Sequence, residues 1–366
     1  MRIDYAEGGI LVVWERQAKL RTALRKELTM QQAYGNKKHD DKIITSLKKR
    51  DIAIELGQKG YSKEEIKIEK AKINESKDKI YWDGTMKQYT RDVDRFCDFV
   101  LEQTGTERMS VQESKEYIQP WLNSMADKGL ASGTIKTYMH AVLKAVHERA
   151  SGYDRPKVSY ADRRKGGDYK AINDEKNRRN HADILDLNRV VGVRRNELPK
   201  IKLDDIKMTD RGIEVYTVGK GGKHNTNVIR DSVKQEVLLH YVERAKAEGR
   251  KTLVTAAQMK NDADLHSERA HCAKDYYKYI MDEIRANPQK REEYKAHINT
   301  ILRETGRQPK TNRQFEHDYF CRGDNKLDLL EQGKPIRYDR VATMMVSIEV
   351  LNHYREDTTI NFYLSR

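Results

Sequence analysis

Three successive apolar stripes between residues 83 and 150 leave that part of the chain little freedom. Tyr89, Val93, Phe96 and Val100 recur at helical spacing; Tyr117, Ile118, Trp121, Leu122 and Met125 make a second set; Ile135, Tyr138, Met139, Val142, Leu143 and Val146 make a third. Spacings of three and four residues put side chains on one face of a helix, whereas a strand would need a period of two. Residues 81–150 therefore read as a helical domain whose stripes meet in a core. Gly129 is expected to close the second helix and Ser132 to cap the third.

That domain accounts for only part of 366 residues, and a chain of this length exceeds one ordinary core. Residues 1–80 are rich in Lys, Glu and Gln, with helices expected over Arg16–Met30 and Lys63–Lys79 and a break at Gly35–Asp41. They read as a basic, solvated helical N-terminal extension, open to accessory DNA contacts. Residues 151–180 have little apolar periodicity and many cations, as in an exposed linker. From 181 to 366 the pattern is mixed. A helix is expected over Ala182–Val190 and another after Arg195. Ile213, Val215 and Thr217 alternate as a strand, Gly219-Lys220-Gly221-Gly222 makes a turn, and Asn227–Arg230 returns as its partner. Helices are expected at about 231–248 and 266–285. A charged insertion follows at about 278–338, and then a last helix with Val341, Met344, Met345, Ile348 and Leu351. The fold class is α+β and mostly α-helical, with a small β-hairpin or sheet in the second domain.

Charge narrows the partners. Lys and Arg number 71 against 57 Asp and Glu, a net +14, and a pI near 9.4 favours a polyanion such as nucleic acid. No apolar run approaches the roughly 20 residues that span a bilayer, and the N-terminus lacks a signal-peptide pattern. Cys97, Cys272 and Cys321 are scattered and odd in number, which suits a reducing, cytoplasmic setting rather than a disulfide framework or a zinc site.

Four segments carry candidate chemistry. In order they are Gly192-Val193-Arg194-Arg195-Asn196-Glu197-Leu198; Val218-Gly219-Lys220-Gly221-Gly222-Lys223; His266-Ser267-Glu268-Arg269; and Leu351-Asn352-His353, with Tyr363 beyond it. Singly each has an ordinary reading: a surface ion-pair cluster, a solvated turn lysine, a chance pair on one helical face, a structural histidine, a terminal tyrosine.

Together and in this order they resemble the tyrosine recombinase (integrase) family. That family has a Gly-x-Arg-x-x-Glu-Leu motif, a lysine on a β-hairpin, a His-x-x-Arg box and a Leu-Gly-His segment shortly before a nucleophilic tyrosine. The resemblance covers about 181–276 and 339–363, and the stripes of 83–150 look like the family's core-binding domain. It implies that Arg194 and Arg269 grip the non-bridging oxygens of a phosphodiester and stabilise the charge of its pentacoordinate transition state. It makes Tyr363 the nucleophile and His266 the acceptor of its proton. His353 then serves as a hydrogen-bond partner of a phosphate oxygen, Lys220 as proton donor to the leaving 5′ oxygen, and Glu197 as the carboxylate that orients an arginine. No metal or other cofactor is required, since arginines supply the positive charge. The expected product is a 3′-phosphotyrosine link with a free 5′ hydroxyl. The expected partners are double-stranded DNA with specific recombination sites, a homo-tetramer assembled on it, and an accessory DNA-bending or directionality protein. The expected setting is the nucleoid, and the expected role is integration or excision of a mobile element.

The chain departs from the family pattern in four places. Asn352 stands where a glycine usually precedes the late histidine. The interval from His353 to Tyr363 is ten residues, one longer than the commonest. Arg195 adjoins Arg194, and Gly-x-Arg selects Arg194. The 278–338 insertion, with Lys310, Arg313, Arg322 and Arg337, is longer than usual and is expected either to contact DNA or a neighbouring protomer or to be decorative. Only Leu364-Ser365-Arg366 follow Tyr363, so protomer contacts are expected from the insertion rather than from a terminal helix. Two alternatives share much of the pattern: a type IB topoisomerase and a non-catalytic DNA-binding regulator.

Overall fold

The apolar stripes of the first half do what their spacing requires. In the computed structural model, which describes residues 2–6, 9–13, 19–155, 168–219, 222–261 and 263–365, the chain divides into two units, Met1–Val158 and Ser159–Arg366. Both are mostly helical, with small antiparallel sheets, so the α+β, mainly helical class holds.

In the first unit, α4 (Asp83–Thr104), α6 (Ile118–Asp127) and α7 (Ser132–Ala145), with the one-turn α5 (Val111–Ser114) between the first two, bury Val93, Phe96 and Val100, Trp121, Leu122 and Met125, and Ile135, Met139 and Val142 in one core. Gly129 follows α6 with φ of 73°, the left-handed geometry of a helix stop. Ser132 is not the cap of α7. It is the first helical residue, behind Ala131, which makes no side-chain cap.

The N-terminal segment needs a larger correction. Helix α1 (Leu20–Met30) buries Leu20, Leu24 and Leu28 in that same core, and Arg21 and Arg25 pair with Asp98 and Asp94 of α4. Residues 20–30 thus belong to the helical unit and are not a solvated extension. The expected helix over Arg16–Met30 begins at Leu20; residues 14–18 lie outside the described ones. Helix α2 (Lys38–Gln58) and α3 (Lys63–Lys72) are the solvated part. Helix α3 stops short of the expected Lys79, because residues 74–79 turn back: Glu75 N–H donates to Thr45 Oγ1, and Lys79 and Tyr81 bind Asp41 at 2.8 and 2.6 Å. A short antiparallel pair, β1 (Arg2–Ala6) and β2 (Gly9–Val13), precedes them.

In the second unit, α8 runs Asp168–Val191 with a break at His181 (φ −138°, ψ 29°). Residues 168–180, expected as linker, are therefore helical, while 156–167 lie outside the described residues. No α-helix begins directly after Arg195. The chain makes 3-10 turns at Leu198–Lys200 and Leu203–Asp205, consistent with Pro199, which has no N–H to continue a ladder. The expected hairpin is present as β4 (Gly212–Val218) and β5 (His224–Ile229), with Val218 opposite His224. A third strand that the sequence reading did not include, β3 (Ile206–Thr209), pairs antiparallel with β4. Helices α9 (Ser232–Ala247) and α10 (Leu265–Ala286) follow as expected.

The charged 278–338 stretch is folded and shares a core with the last long helix. After α10 come α11 (Gln289–Glu304), α12 (Asn312–Glu316), β6 (Tyr319–Phe320), α13 (Gly323–Glu331) and β7 (Arg337–Tyr338). Tyr294, Ile298, Leu302 and Phe315 share a core with Val341, Met344, Met345 and Ile348 of α14 (Arg340–Glu349). Helix α14 is buried all round from Val341 to Glu349. Beyond it, α15 (Glu356–Thr359) and a wide turn at Ile360–Leu364 bring Tyr363 back onto α10. No described helix is long and apolar enough to cross a membrane.

Candidate active site

The site is built on one buried cation. Asp264 caps α10 by accepting the Ser267 N–H at 3.1 Å, which sets His266 in the first turn and Arg269 one turn on. Arg269 is 1% exposed, so its charge must be met by fixed dipoles. Its guanidinium donates to the carbonyl oxygens of Gly192 and Leu351, the latter at 2.8 Å, while its Nε–H has no partner among the described residues. Burial lowers its pKa; the Tyr363 hydroxyl beside it acts the other way, and Arg194 adds to the lowering.

The first motif explains itself around that arginine. Gly192 ends α8 with φ of 63°, and a Cβ there would sit 2.8 Å from Cys272 Sγ and 3.0 Å from Val350 Cγ1. Glycine alone lets the chain turn and aim its carbonyl at Arg269. Two residues on, Arg194 gives both its N–H and its Nη1 to the Glu197 carboxylate, at 2.9 and 2.7 Å. Glu197 is 2% exposed and lies close against the hairpin: a Cβ on Gly219 would meet its Oε1 at 3.1 Å. The adjoining Arg195 is occupied elsewhere, donating to Met259 O, Asn261 Oδ1 and Ala263 O at 3.1, 2.9 and 2.6 Å. Arg194, Arg195, His266 and Arg269 line one open groove.

The late segment closes the site. Asn352 has φ of 54°, a left-handed geometry that asparagine tolerates better than most residues. Its amide donates to Asn227 Oδ1 at 2.7 Å, and the Asn227 amide donates to Val191 O and Val350 O at 2.8 and 2.9 Å. One buried side chain on β5 thereby holds together the ends of α8 and α14. His353 donates its backbone N–H to Ser347 O at 3.1 Å. Ser347 Oγ accepts the Arg355 N–H at 2.7 Å and lies 3.3 Å from His353 Nδ1. His353 Nε2 is buried and without a partner among the described residues. Burial, with Arg269 and Arg194 nearby, lowers the His353 pKa to about 4, so the ring is neutral at pH 7. Tyr363, 8% exposed, has its ring centroid 5.4 Å from that of His266 and 5.8 Å from that of His353.

Of the sequence candidates, Arg194, Glu197, His266, Arg269, His353 and Tyr363 thus lie together in one unit. Lys220 lies outside the described residues. A different hairpin lysine, Lys223, reaches this region: its Nζ donates to Asn352 O at 2.8 Å and sits 4.3 Å from the centre of the Tyr354 ring. Burial lowers its pKa, as do the charges of Arg307 and Arg194. The sequence offered Lys223 in the same glycine-rich segment, but the strand register that turns it inward was not legible. Nor was the support beneath the site. Glu349, 2% exposed, accepts from Arg230 Nε and Nη2 at 2.9 Å each, from the Tyr276 hydroxyl, and pairs with His297 Nε2 at 2.8 Å. A lone carboxylate at the end of apolar α14 was its sequence signal.

The site is a set of cationic donors around a phenol, in a mostly helical unit with a three-stranded antiparallel sheet. No protein-family model and no curated protein sequence matches the chain. Among solved structures it is similar to the XerH site-specific recombinase bound to difH substrate in a pre-cleavage complex, at 13% identity and a TM-score of 0.36, covering 94% of this chain and 91% of that one.

Proposed function

We propose that the chain is a tyrosine-type, site-specific DNA strand transferase, a recombinase or integrase. The observation that carries this reading is the convergence of Tyr363, Arg194, Arg269, His266 and His353, drawn from three separate stretches of sequence, with a buried guanidinium that still has an unused donor. A net charge of +14 suits a DNA partner.

The chemistry runs as follows. The Tyr363 hydroxyl gives its proton to His266, and its oxygen attacks the phosphorus of a DNA phosphodiester. Arg194 and Arg269 donate to the non-bridging oxygens, whose charge grows in the transition state. Neutral His353 donates through Nε2–H to one of them. The bond from phosphorus to the 5′ oxygen breaks as the phosphotyrosine bond forms, and that oxygen takes a proton from a hairpin lysine. We assign that donor to Lys223 in place of Lys220, because Lys223 is seated beside the His353 segment. The products are a 3′-phosphotyrosine and a 5′ hydroxyl. A hydroxyl from a second strand reverses the step without ATP, since the ester energy is kept. Recombination between paired sites, a tetramer on DNA, an accessory directionality protein, mobile-element integration or excision, and a DNA-clamping role for the helical unit belong to the same proposal.

A nicked suicide substrate carrying the recombination site, incubated with the protein in EDTA, tests the reading. A covalent adduct that forms with wild type and is lost in Tyr363→Phe is expected. An adduct that needs a divalent metal, or that persists in Tyr363→Phe, overturns it. Relaxation of supercoiled plasmid lacking any paired site would favour the topoisomerase alternative.

A further inference from the structure

The segment that follows His353 holds a feature the mechanism has not used. Tyr354 has φ of 59°, a geometry rare for a bulky residue and kept only where surroundings enforce it. Two cations share its ring. Lys223 Nζ lies 4.3 Å from the centroid and the Arg307 guanidinium 4.1 Å. The ring's negative face attracts each of them, yet they repel one another, and the Lys223 pKa is lowered first by burial and then by the charge of Arg307. Among the described residues neither pairs with a carboxylate; Lys223 instead donates to Asn352 O, and Arg307 to Thr305 O at 3.0 Å.

Arg307 comes from the long insertion, and its backbone is fixed. Its N–H donates to Leu302 O at 2.7 Å, closing the end of α11, and Leu302 is buried in the core under α14. The insertion therefore delivers one side chain to the edge of the candidate site, against the residue next to His353.

We propose that Tyr354 and Arg307 are positioning residues for Lys223: the Tyr354 ring, braced by Arg307 from the insertion, seats the Lys223 ammonium on the side of the site where the 5′ oxygen departs. This rests on the recombinase reading above and gives the insertion a role inside the active site. The charged groups acting on Lys223 are Arg307 and Arg194. The step itself balances simply: the Lys223 ammonium loses one proton to the 5′ oxygen as the bond from that oxygen to phosphorus breaks, leaving a neutral amine and a 5′ hydroxyl.

Single-turnover cleavage of two nicked substrates tests it, one with the ordinary 5′ oxygen and one with a 5′ bridging sulfur, whose leaving thiolate needs no proton. On the oxygen substrate Tyr354→Leu and Arg307→Met are expected to slow cleavage about 10- to 100-fold, the cost of a misplaced catalytic group. On the sulfur substrate both are expected to approach wild type, which also establishes that the variants are folded. Tyr354→Phe keeps the ring and is expected to stay within about threefold of wild type on the oxygen substrate. Arg307→Met removes one repelling charge from Lys223, so the alkaline limb of its pH–rate profile moves to higher pH. Wild-type rates for Tyr354→Leu and Arg307→Met on the oxygen substrate, or a loss that persists on the sulfur substrate, overturn the proposal while leaving the Tyr363 adduct intact. An adduct that survives Tyr363→Phe removes the recombinase reading and this proposal with it.

Discussion

Arg269→Lys separates the charge of the buried cation from its geometry. The guanidinium holds Gly192 O and Leu351 O at once and keeps Nε–H unused. An ammonium on a flexible stem retains the charge but cannot reproduce that planar fork. Either it reaches both carbonyls and has nothing aimed at the phosphate, or it turns to the phosphate and leaves a buried carbonyl unpaired. An unpaired buried acceptor costs about 1–3 kcal/mol, which denaturant titration reads as lost stability. A missing transition-state donor costs about 3–4 kcal/mol, or about 100- to 1,000-fold in rate, which single-turnover cleavage of the suicide substrate reads. DNA affinity at fixed salt should change little, because the number of cations is the same. Cleavage by Arg269→Lys within about tenfold of wild type, roughly 1.4 kcal/mol, would refute the claim that this guanidinium acts by its shape.

Other perturbations address neighbouring parts of the account. Arg194→Ala should abolish cleavage with modest loss of stability, whereas Arg195→Ala, which removes three hydrogen bonds to the 259–263 loop, should mainly lower the denaturation midpoint; the reverse pattern would move the phosphate role to Arg195. Burial pushes the Glu349 carboxyl up, but hydrogen bonds from His297 and Arg230 prevail and bring it to about 2 from an ordinary 4.5. Its folded pKa is thus depressed, so it contributes on the order of 3 kcal/mol above its ordinary pKa, lost as pH falls towards its folded value. Urea titrations at stepped acid pH should show that slope in wild type and a flatter one in Glu349→Gln; equal slopes would contradict the assignment. Nitrogen NMR of the His353 ring should find the Nε2–H tautomer, neutral down to about pH 4, and a midpoint near 6.5 would mean the site is wetter than described.

Much of the frame could be read from the chain, and the failures share a cause. Apolar stripes announce themselves, because Val93, Phe96 and Val100 bury one helical face whatever surrounds them. The hairpin was visible for the same local reason: alternation around Ile213 and a glycine turn. The stripe Leu20, Leu24, Leu28 was equally present but was masked by the charged residues around it, and only its packing on α4 reveals it as core. Strand β3 is short and mostly exposed, so its pairing with β4 rather than its sequence defines it. Gly-x-Arg selects Arg194, and the hydrogen bonds that hold Arg195 to a loop sixty-odd residues away are a tertiary fact. Lys223, Asn227, Glu349 and Arg307 act through contacts that span more than forty residues of sequence, and no local pattern encodes such a pairing.

The central claim is that the Tyr363 phenol attacks a phosphorus held by Arg194 and Arg269. Trapping wild-type protein on the nicked substrate, digesting it with trypsin and sequencing the nucleopeptide by mass spectrometry tests this most directly. The account predicts DNA joined through a 3′ phosphate to Tyr363, with a free 5′ hydroxyl on the released strand. A nucleopeptide joined through any other residue, or a 5′ phosphate on the protein, would contradict it.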